Sequence, residues 1–386
     1  MLPLPRNDRE TYLQIRDVAR RFADEIVRPK AEELDRDERF PREIYERMGE
    51  LGLFGITVPS ENEGVGLDAL AYAVVMEELS RGYASVADQC GVVELIGTLL
   101  ARFGSSTQKR EWLPGILAAR TIVAYCISEA EAGSDVSGIK TTATRAAGGW
   151  LLNGSKTWIH NAPVADVGFV LAHIDPAAGT RGMGIFIVPF DKSGVARGPK
   201  EHKMGQRASQ VGGLKFDNVA LPEGALLGAE GRGFHMMMSA LEKGRVGIAA
   251  LAVGIAQAGL EAALDYARTR KQFGQTLASH QGMQWLLADM AKDIAAARAL
   301  VHRAALLIDN EEPQNAACSM ANCFAGDMVV AQTANAMQVF GGSGYIRGFE
   351  VERLYRDAKI CQIYEGTQQI QRTLIARELL KNGAKS

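Results

Sequence analysis

Hydrophobic positions near the start of the chain recur at three- and four-residue intervals. Tyr12, Ile15, Val18, Phe22 and Ile26 fall on one face of a helix that Asp8 can cap, and Pro29 is expected to close it. Phe40-Pro41 marks another helix start, with Gly49 and Gly52 at its end. Gly64-Val65-Gly66 reads as a turn before a helix carrying Leu70, Tyr72, Val75 and Met76, and helical patterning continues through 95–103 and 109–117. Near Thr121 the texture changes. Residues 123–127, 141–144, 150–152, 168–172 and 184–188 are short strand-like runs separated by Gly, Asn, Asp and Pro. Residues 150–153 followed by Gly154 read as a hairpin turn. This all-β stretch runs to about Gly231. Long apolar patterns rich in Ala, Met and Leu then occupy 234–264, 281–308 and 316–339, as in helices buried against other helices or at a subunit interface. A last helix near 370–381 ends at Asn382-Gly383. The expected fold is mainly α with a central all-β domain: helical over 1–122, β over 123–232, helical over 233–386.

A chain of 386 residues exceeds what one core usually organises, in line with that division. The apolar fraction of 47% and charged fraction of 23% are ordinary for a globular protein, and a net charge of −2 suggests no nucleic-acid or membrane-surface partner. No apolar run approaches the roughly 20 residues of a membrane helix, so no membrane insertion is expected. The opening Met1-Leu2-Pro3-Leu4-Pro5-Arg6 is too short and too soon polar for a signal peptide. Cys90, Cys126, Cys318, Cys323 and Cys361 are odd in number and form no C-x-x-C pair, and the histidines form no H-E-x-x-H. Neither a disulfide framework nor a metal site is expected, and a reduced, cytoplasmic setting is the simplest reading. No G-x-G-x-x-G follows a strand and opens a helix, which disfavours a nicotinamide-dinucleotide domain.

Five segments could carry chemistry. Tyr125-Cys126-Ile127-Ser128-Glu129 runs from a strand into a loop, Ala130-Glu131-Ala132-Gly133-Ser134-Asp135-Val136-Ser137-Gly138, whose N–H groups and hydroxyls could converge on a ligand; a plain Gly/Ser turn is the alternative. In Asn153-Gly154-Ser155-Lys156-Thr157-Trp158-Ile159-His160-Asn161, Trp158 is either a core aromatic or a stacking platform. Arg270-Lys271-Gln272-Phe273-Gly274 suits a phosphate or a solvated helix end. Gln338-Val339-Phe340-Gly341-Gly342-Ser343-Gly344-Tyr345 ends a helix in a Gly-rich loop that allows close backbone approach or simply caps the helix. Finally, Ile363-Tyr364-Glu365-Gly366-Thr367 places a carboxylate between an apolar stretch and a glycine. In an apolar pocket its pKa would rise, which suits a general base.

Together, in this order and spacing, the five segments resemble the acyl-CoA dehydrogenase family over nearly the whole chain. The resemblance implies helical, β and helical domains, a homotetramer, and FAD bound between the β-domain and the C-terminal helices. It implies flavin contacts at Tyr125, Ser128, Ser134 and Trp158, with Trp158 beside the isoalloxazine ring and His160 two residues on. Arg270, Phe273 and Gln281 would reach the dinucleotide from a neighbouring subunit. Gln338, Gly341 and Gly342 would also touch it, and Thr367 and Gln369 would complete the pocket. Ser134, Glu242, Arg245 and Gly366 would line the acyl-CoA path.

The implied reaction is α,β-dehydrogenation. Glu365 removes the α-proton, flavin N5 accepts the β-hydride, and the backbone N–H of Glu365 helps polarise the thioester carbonyl. An electron-transferring flavoprotein would be the oxidant. Some members carry the base on the helix with Glu242-Lys243-Gly244-Arg245, but here the matching position is Gly244. His160 departs from the family's usual Thr or Ser. Its ring either addresses the flavin, changing charge near pH 6.5, or points elsewhere. Ala84 stands where dicarboxylyl-CoA members carry Arg, which disfavours a glutaryl-type substrate, and Asp88 either pairs locally or faces a polar acyl tail. Alternatives on the same fold are oxidase-like, desulfinating or decarboxylating, and nitroalkane-oxidising chemistry. A non-catalytic flavin- or acyl-CoA-binding protein is the remaining reading, and Glu365 argues against it.

Overall fold

The computed structural model describes residues 5–312 and 314–382; the expected helix stop at Gly383 and the first four residues lie outside them. Six α-helices come first: α1 (Arg9–Phe22), α2 (Ala31–Asp37), α3 (Arg42–Glu50), α4 (Ala69–Gly82), α5 (Ala84–Phe103) and α6 (Ser106–Leu117). Asp8 does cap α1, accepting the Thr11 N–H at 2.8 Å. The expected apolar face fails at its end. A π-helical turn over Ala23–Val27 adds a residue to the register, so Val27 enters the core while Ile26 is exposed. Pro29 does not close the helix either. It sits in the short 3₁₀ turn Arg28–Lys30 that leads into α2, where a missing N–H costs little, and the path ends instead at Glu38 with φ of 49°.

The β-domain follows: β1 (Val123–Cys126), β2 (Thr142–Ala146), β3 (Gly149–His160), β4 (Val167–His173), β5 (Met183–Pro189), β6 (Val195–Lys200), β7 (Val211–Pro222) and β8 (Leu226–Leu227). The sheet order is β6-β7-β3-β2-β4-β5-β8, with β1 paired in parallel to β4. All seven residues of β4 are buried, as a strand covered on both faces requires. The expected turn at Gly154 is not there. The hairpin turns one element earlier, at Gly148 and Gly149, and Gly154 lies inside β3 at a register shift against β7. The glycine serves close approach rather than chain reversal. Its φ is 139°, and a Cβ there would stand 2.7 Å from Thr141 Cα.

The C-terminal part comprises α7 (Gly233–Thr269), the small hairpin β9 (Lys271–Gln272) and β10 (Gln275–Thr276), α8 (Gln281–Asp309), α9 (Asn315–Phe340), α10 (Glu350–Ala358) and α11 (Gln368–Asn382). Helix α7 packs against α4, α5, α8 and α9. The expectation that no segment could span a membrane is corrected here: α5 and α7 are both long and apolar enough by length and composition. Their apolar windows are 89% and 83% buried in the protein, so the run reflects core helices surrounded by other helices. The five cysteines are free and buried. Where α5, α7, the edge of the β-domain and the segment before α11 converge, the polar residues of interest meet.

Candidate active site

Glu365 stands in a short non-helical link. A 3₁₀ turn ends at Gln362, the Ile363 and Tyr364 N–H groups bond back to Ile360 O, and the chain then takes left-handed backbone at Glu365 (φ 53°) and Gly366 (φ 100°). A non-glycine residue at such a φ is strained and must be held in place. Gln371, fully buried on α11, does the holding: its Nε2 donates to the carbonyls of Glu365 (3.2 Å) and Gly366 (3.0 Å). Thr367 caps α11, its hydroxyl accepting the Ile370 N–H at 3.4 Å. Among the described residues the Glu365 N–H has no hydrogen-bond partner, so it can donate to a ligand.

The Glu365 side chain folds onto α7 over Gly244. A Cβ at 244 would sit 2.9 Å from the carboxyl carbon and 3.1 Å from Oε1, with Oε2 closer still. The two positions that the resemblance offered for a base are therefore one place in space. Glycine on α7 leaves room for the carboxylate that arrives from the other segment. Glu365 as a whole is half-buried, but its Oε2 is buried with no hydrogen-bond partner. Burial is the main cause that pushes its pKa up to about 8; the Asp88 carboxylate adds to the rise and the Arg245 guanidinium opposes it. Arg245 is itself buried, with an unpartnered Nε and no ion pair among the described residues.

A carboxylate acting as a base must be deprotonated, so any proton abstraction by Glu365 would strengthen as pH rises toward about 8 and weaken by about tenfold per unit below it. The pH profile of kcat/KM in the free enzyme checks this. The same shift sets a stability trend. Between the ordinary carboxyl value of 4.5 and about 8 the folded state holds the proton that the unfolded state has lost. Folding stability from this group is therefore fully present at low pH and declines through that window. Glu365→Gln should remove the decline, as thermal melts at several pH values would show.

Trp158 is not the core aromatic that one reading allowed. It is 64% exposed, at φ 53°, in the irregular stretch of β3 between Lys156 and Ile159, so it is no core residue. The Thr157 N–H donates to Ser128 O at 3.0 Å, which ties the stretch carrying Trp158 to the loop after β1. Glu129 in that loop is structural: it accepts from Lys156 Nζ (2.8 Å), Thr141 Oγ1 (2.6 Å) and the Lys140 N–H (2.6 Å). The loop beyond it leaves Ser134 exposed, and the Tyr125 hydroxyl is occupied by Met237 O at 2.8 Å. Glu242, also on α7, accepts from Gln314 at 3.2 Å, and burial raises its pKa. His160 and Asp88 lie 3.4 Å apart, both partly accessible. Glu365, Arg245, Tyr125 and Asp88 are thus near one another, and Gln369 is exposed at the start of α11.

Other expected residues are elsewhere. Arg270 caps the far end of α7, and 26 residues of helix from Gly244 amount to about 39 Å at the ~1.5 Å rise per residue. Phe273 is 95% exposed at the tip of the β9–β10 turn, where φ is positive at both Phe273 and Gly274, the geometry of a tight hairpin. Gln281 opens α8 and is exposed. Gln338, Gly341 and Gly342 share this end of the bundle, near the stacked rings of Tyr266 and Phe340 at 4.1 Å. Nothing lies within 4 Å of a Cβ placed on Gly341 or Gly342, so their backbone faces open space.

Three consecutive family profiles match this arrangement: acyl-CoA dehydrogenase N-terminal domain over residues 9–120, middle domain over 124–219 and C-terminal domain over 231–380. The chain belongs to the acyl-CoA dehydrogenase family. It is 41% identical over 378 residues to the short-chain specific acyl-CoA dehydrogenase, mitochondrial, of Bos taurus, covering 97% of this chain and 91% of that one. It is 42% identical over 372 residues to an acyl-CoA dehydrogenase of Bacillus subtilis (strain 168), covering 96% and 98%. Among solved structures, butyryl-CoA dehydrogenase from Megasphaera elsdenii superposes with a TM-score of 0.95 at 35% identity, over 98% of this chain and all of that one. This acyl-CoA dehydrogenase is an oxidoreductase, with the helical, β and helical architecture expected of the family. Sequence reasoning missed Gln371 and the space-making role of Gly244. Gly244 matters only through a residue 121 positions away, and Gln371 only because the left-handed backbone at Glu365 and Gly366 turns their carbonyls onto it.

Proposed function

We propose that this enzyme removes hydrogen across the α,β-carbons of a short acyl-CoA thioester to give the trans-2-enoyl thioester, with Glu365 as base. The observation that carries the reading is the buried, unpartnered Glu365 Oε2 seated over Gly244. A carboxylate held in strained backbone with no internal partner is arranged for a reaction rather than for stability. Glu365 takes the α-proton, and its free N–H is placed to donate to the thioester carbonyl, where negative charge develops. The exposed Trp158 face and the open loop around Ser134 fit a planar isoalloxazine ring. FAD bound there would supply the acceptor for the β-hydride. An electron-transferring flavoprotein is the proposed oxidant.

A short chain is proposed on the packing along α7 and on the name of the bovine relative. Gly247 lies one helical turn beyond Gly244, and a Cβ there would stand 2.7 Å from Tyr72 Cζ and closer to its hydroxyl. Tyr72 is fully buried, so it blocks this side of α7. The relative's name specifies short-chain substrates, in agreement. A series of saturated acyl-CoAs, mixed anaerobically with the flavin-loaded protein, tests the reading: four-carbon chains should bleach the flavin faster than long ones. Absence of bleaching by every chain length would overturn it.

The separation of Arg270, Phe273 and the Gly341 loop from Glu365 supports a second copy of the chain in each site, in a homotetramer. Those residues would hold the dinucleotide of a neighbour. An Arg–phosphate contact is charge-assisted. Arg270→Ala should weaken FAD retention by about 10–100-fold, since such bonds contribute roughly 1.5–3 kcal/mol. Flavin content after dialysis checks it, and full retention would reduce Arg270 to a surface cation.

A further inference from the structure

His160 ends β3 beside Gln89 and Asn161, both fully buried. The hydrogen bonds among these three have one consistent assignment, and it starts from a main-chain carbonyl. Asn161 Nδ2 lies 3.2 Å from Val123 O of β1, which can only accept. The Asn161 amide nitrogen must therefore face that way. The same nitrogen donates to Gln89 Oε1 at 2.8 Å, and Asn161 Oδ1 accepts from Gln89 Nε2 at 3.0 Å. The Gln89 amide is thereby fixed as well. Its nitrogen also stands 2.9 Å from His160 Nε2. An amide nitrogen has only hydrogens to offer, so the imidazole nitrogen facing it must accept.

We infer that Gln89 is a positioning residue that holds His160 as the neutral tautomer with its proton on Nδ1, a fixed donor on the accessible side of the ring. The accessible side is real: His160 Nδ1 makes no hydrogen bond among the described residues and is not among the buried unsatisfied atoms, and the side chain is 19% exposed. The charged groups acting on the ring are Asp88 from α5 and Lys203 from the segment between β6 and β7. Asp88 Oδ2 is 3.4 Å from Nε2, beyond the usual N–H···O length, whereas Gln89 Nε2 stands at 2.9 Å. Burial lowers the imidazole pKa from its ordinary value, with Asp88 opposing and Lys203 assisting. That direction agrees with the Gln89 contact, which leaves Nε2 without a proton. A neutral N–H donor does for a ligand beside Trp158 what a hydroxyl would do, at larger size. This last step rests on the proposed flavin site; the tautomer does not.

The test uses flavin-loaded protein labelled with ¹⁵N-histidine. His160 should show a protonated Nδ1 and a bare Nε2 at about pH 7.5, roughly one unit above the reference imidazole pKa. A wild-type spectrum with the proton on Nε2, or on both nitrogens at neutral pH, would overturn the inference whatever the flavin does. Gln89→Glu places an acceptor against Nε2. It should protonate both nitrogens and move the ring's titration upward by about one unit or more. In the same variant the flavin midpoint potential should rise below that new titration point, while wild type shows no such added pH dependence. If the nitrogens respond as stated and the potential does not, the tautomer lock stands and the ring does not address the flavin. If the Gln89→Glu nitrogens remain as in wild type, Gln89 does not set the tautomer.

Discussion

Glu365→Gln should leave the protein folded and yellow while substrate-driven flavin reduction falls by about 10²–10⁴, the usual contribution of a general base. Glutamine keeps the shape above Gly244 but cannot take a proton. The strained backbone should survive, because its support comes from Gln371 bonding to main-chain carbonyls rather than to the carboxylate. Stopped-flow reduction by a short acyl-CoA measures the loss. Near-normal rates would remove Glu365 from the chemistry.

Gly244→Ala should be nearly as damaging, without touching an ionisable group. The added methyl carbon would meet the Glu365 carboxyl group at 2.9 Å or less, so the carboxylate must swing away from its seat. A displacement of about 1 Å in a reacting group can cost about 10²-fold in rate. The fold should persist, because the clash is with the end of a side chain and alanine is otherwise the better helix former. Reduced turnover with an unchanged melting profile is the expected result. Unchanged turnover would mean that the carboxylate works from another position.

The order helical, β, helical was legible because the hydrophobic period changes from 3.6 to 2 near Thr121 and back after Gly231. The buried strands β4 and β5 announced themselves as short apolar runs. Local punctuation misled in places. Pro29 and Gly154 look like breakers, yet one sits in a connecting 3₁₀ turn and the other gives Thr141 room inside a strand. The core helices α5 and α7 carry span-length apolar windows whose partners are other helices, which hydropathy along a chain does not reveal.

In the site, Glu365 and Trp158 were legible as a motif carboxylate and aromatic. The structure adds their strained backbone and their opposite environments, one tip buried and the other face open. Gln89, Gln371 and the room that Gly244 makes for Glu365 were not legible. Each is an ordinary helix residue until α5, α7 or α11 brings it against a partner dozens of residues away or in another element.

The most direct measurement is anaerobic single turnover of the flavin-loaded enzyme with butyryl-CoA, following flavin absorbance and product mass together. The account predicts loss of the oxidised flavin band matched one-for-one by an enoyl thioester lighter by two hydrogens, with both signals suppressed in Glu365→Gln. Oxidised flavin and unchanged thioester in the wild-type enzyme, or equal conversion in the variant, would contradict it.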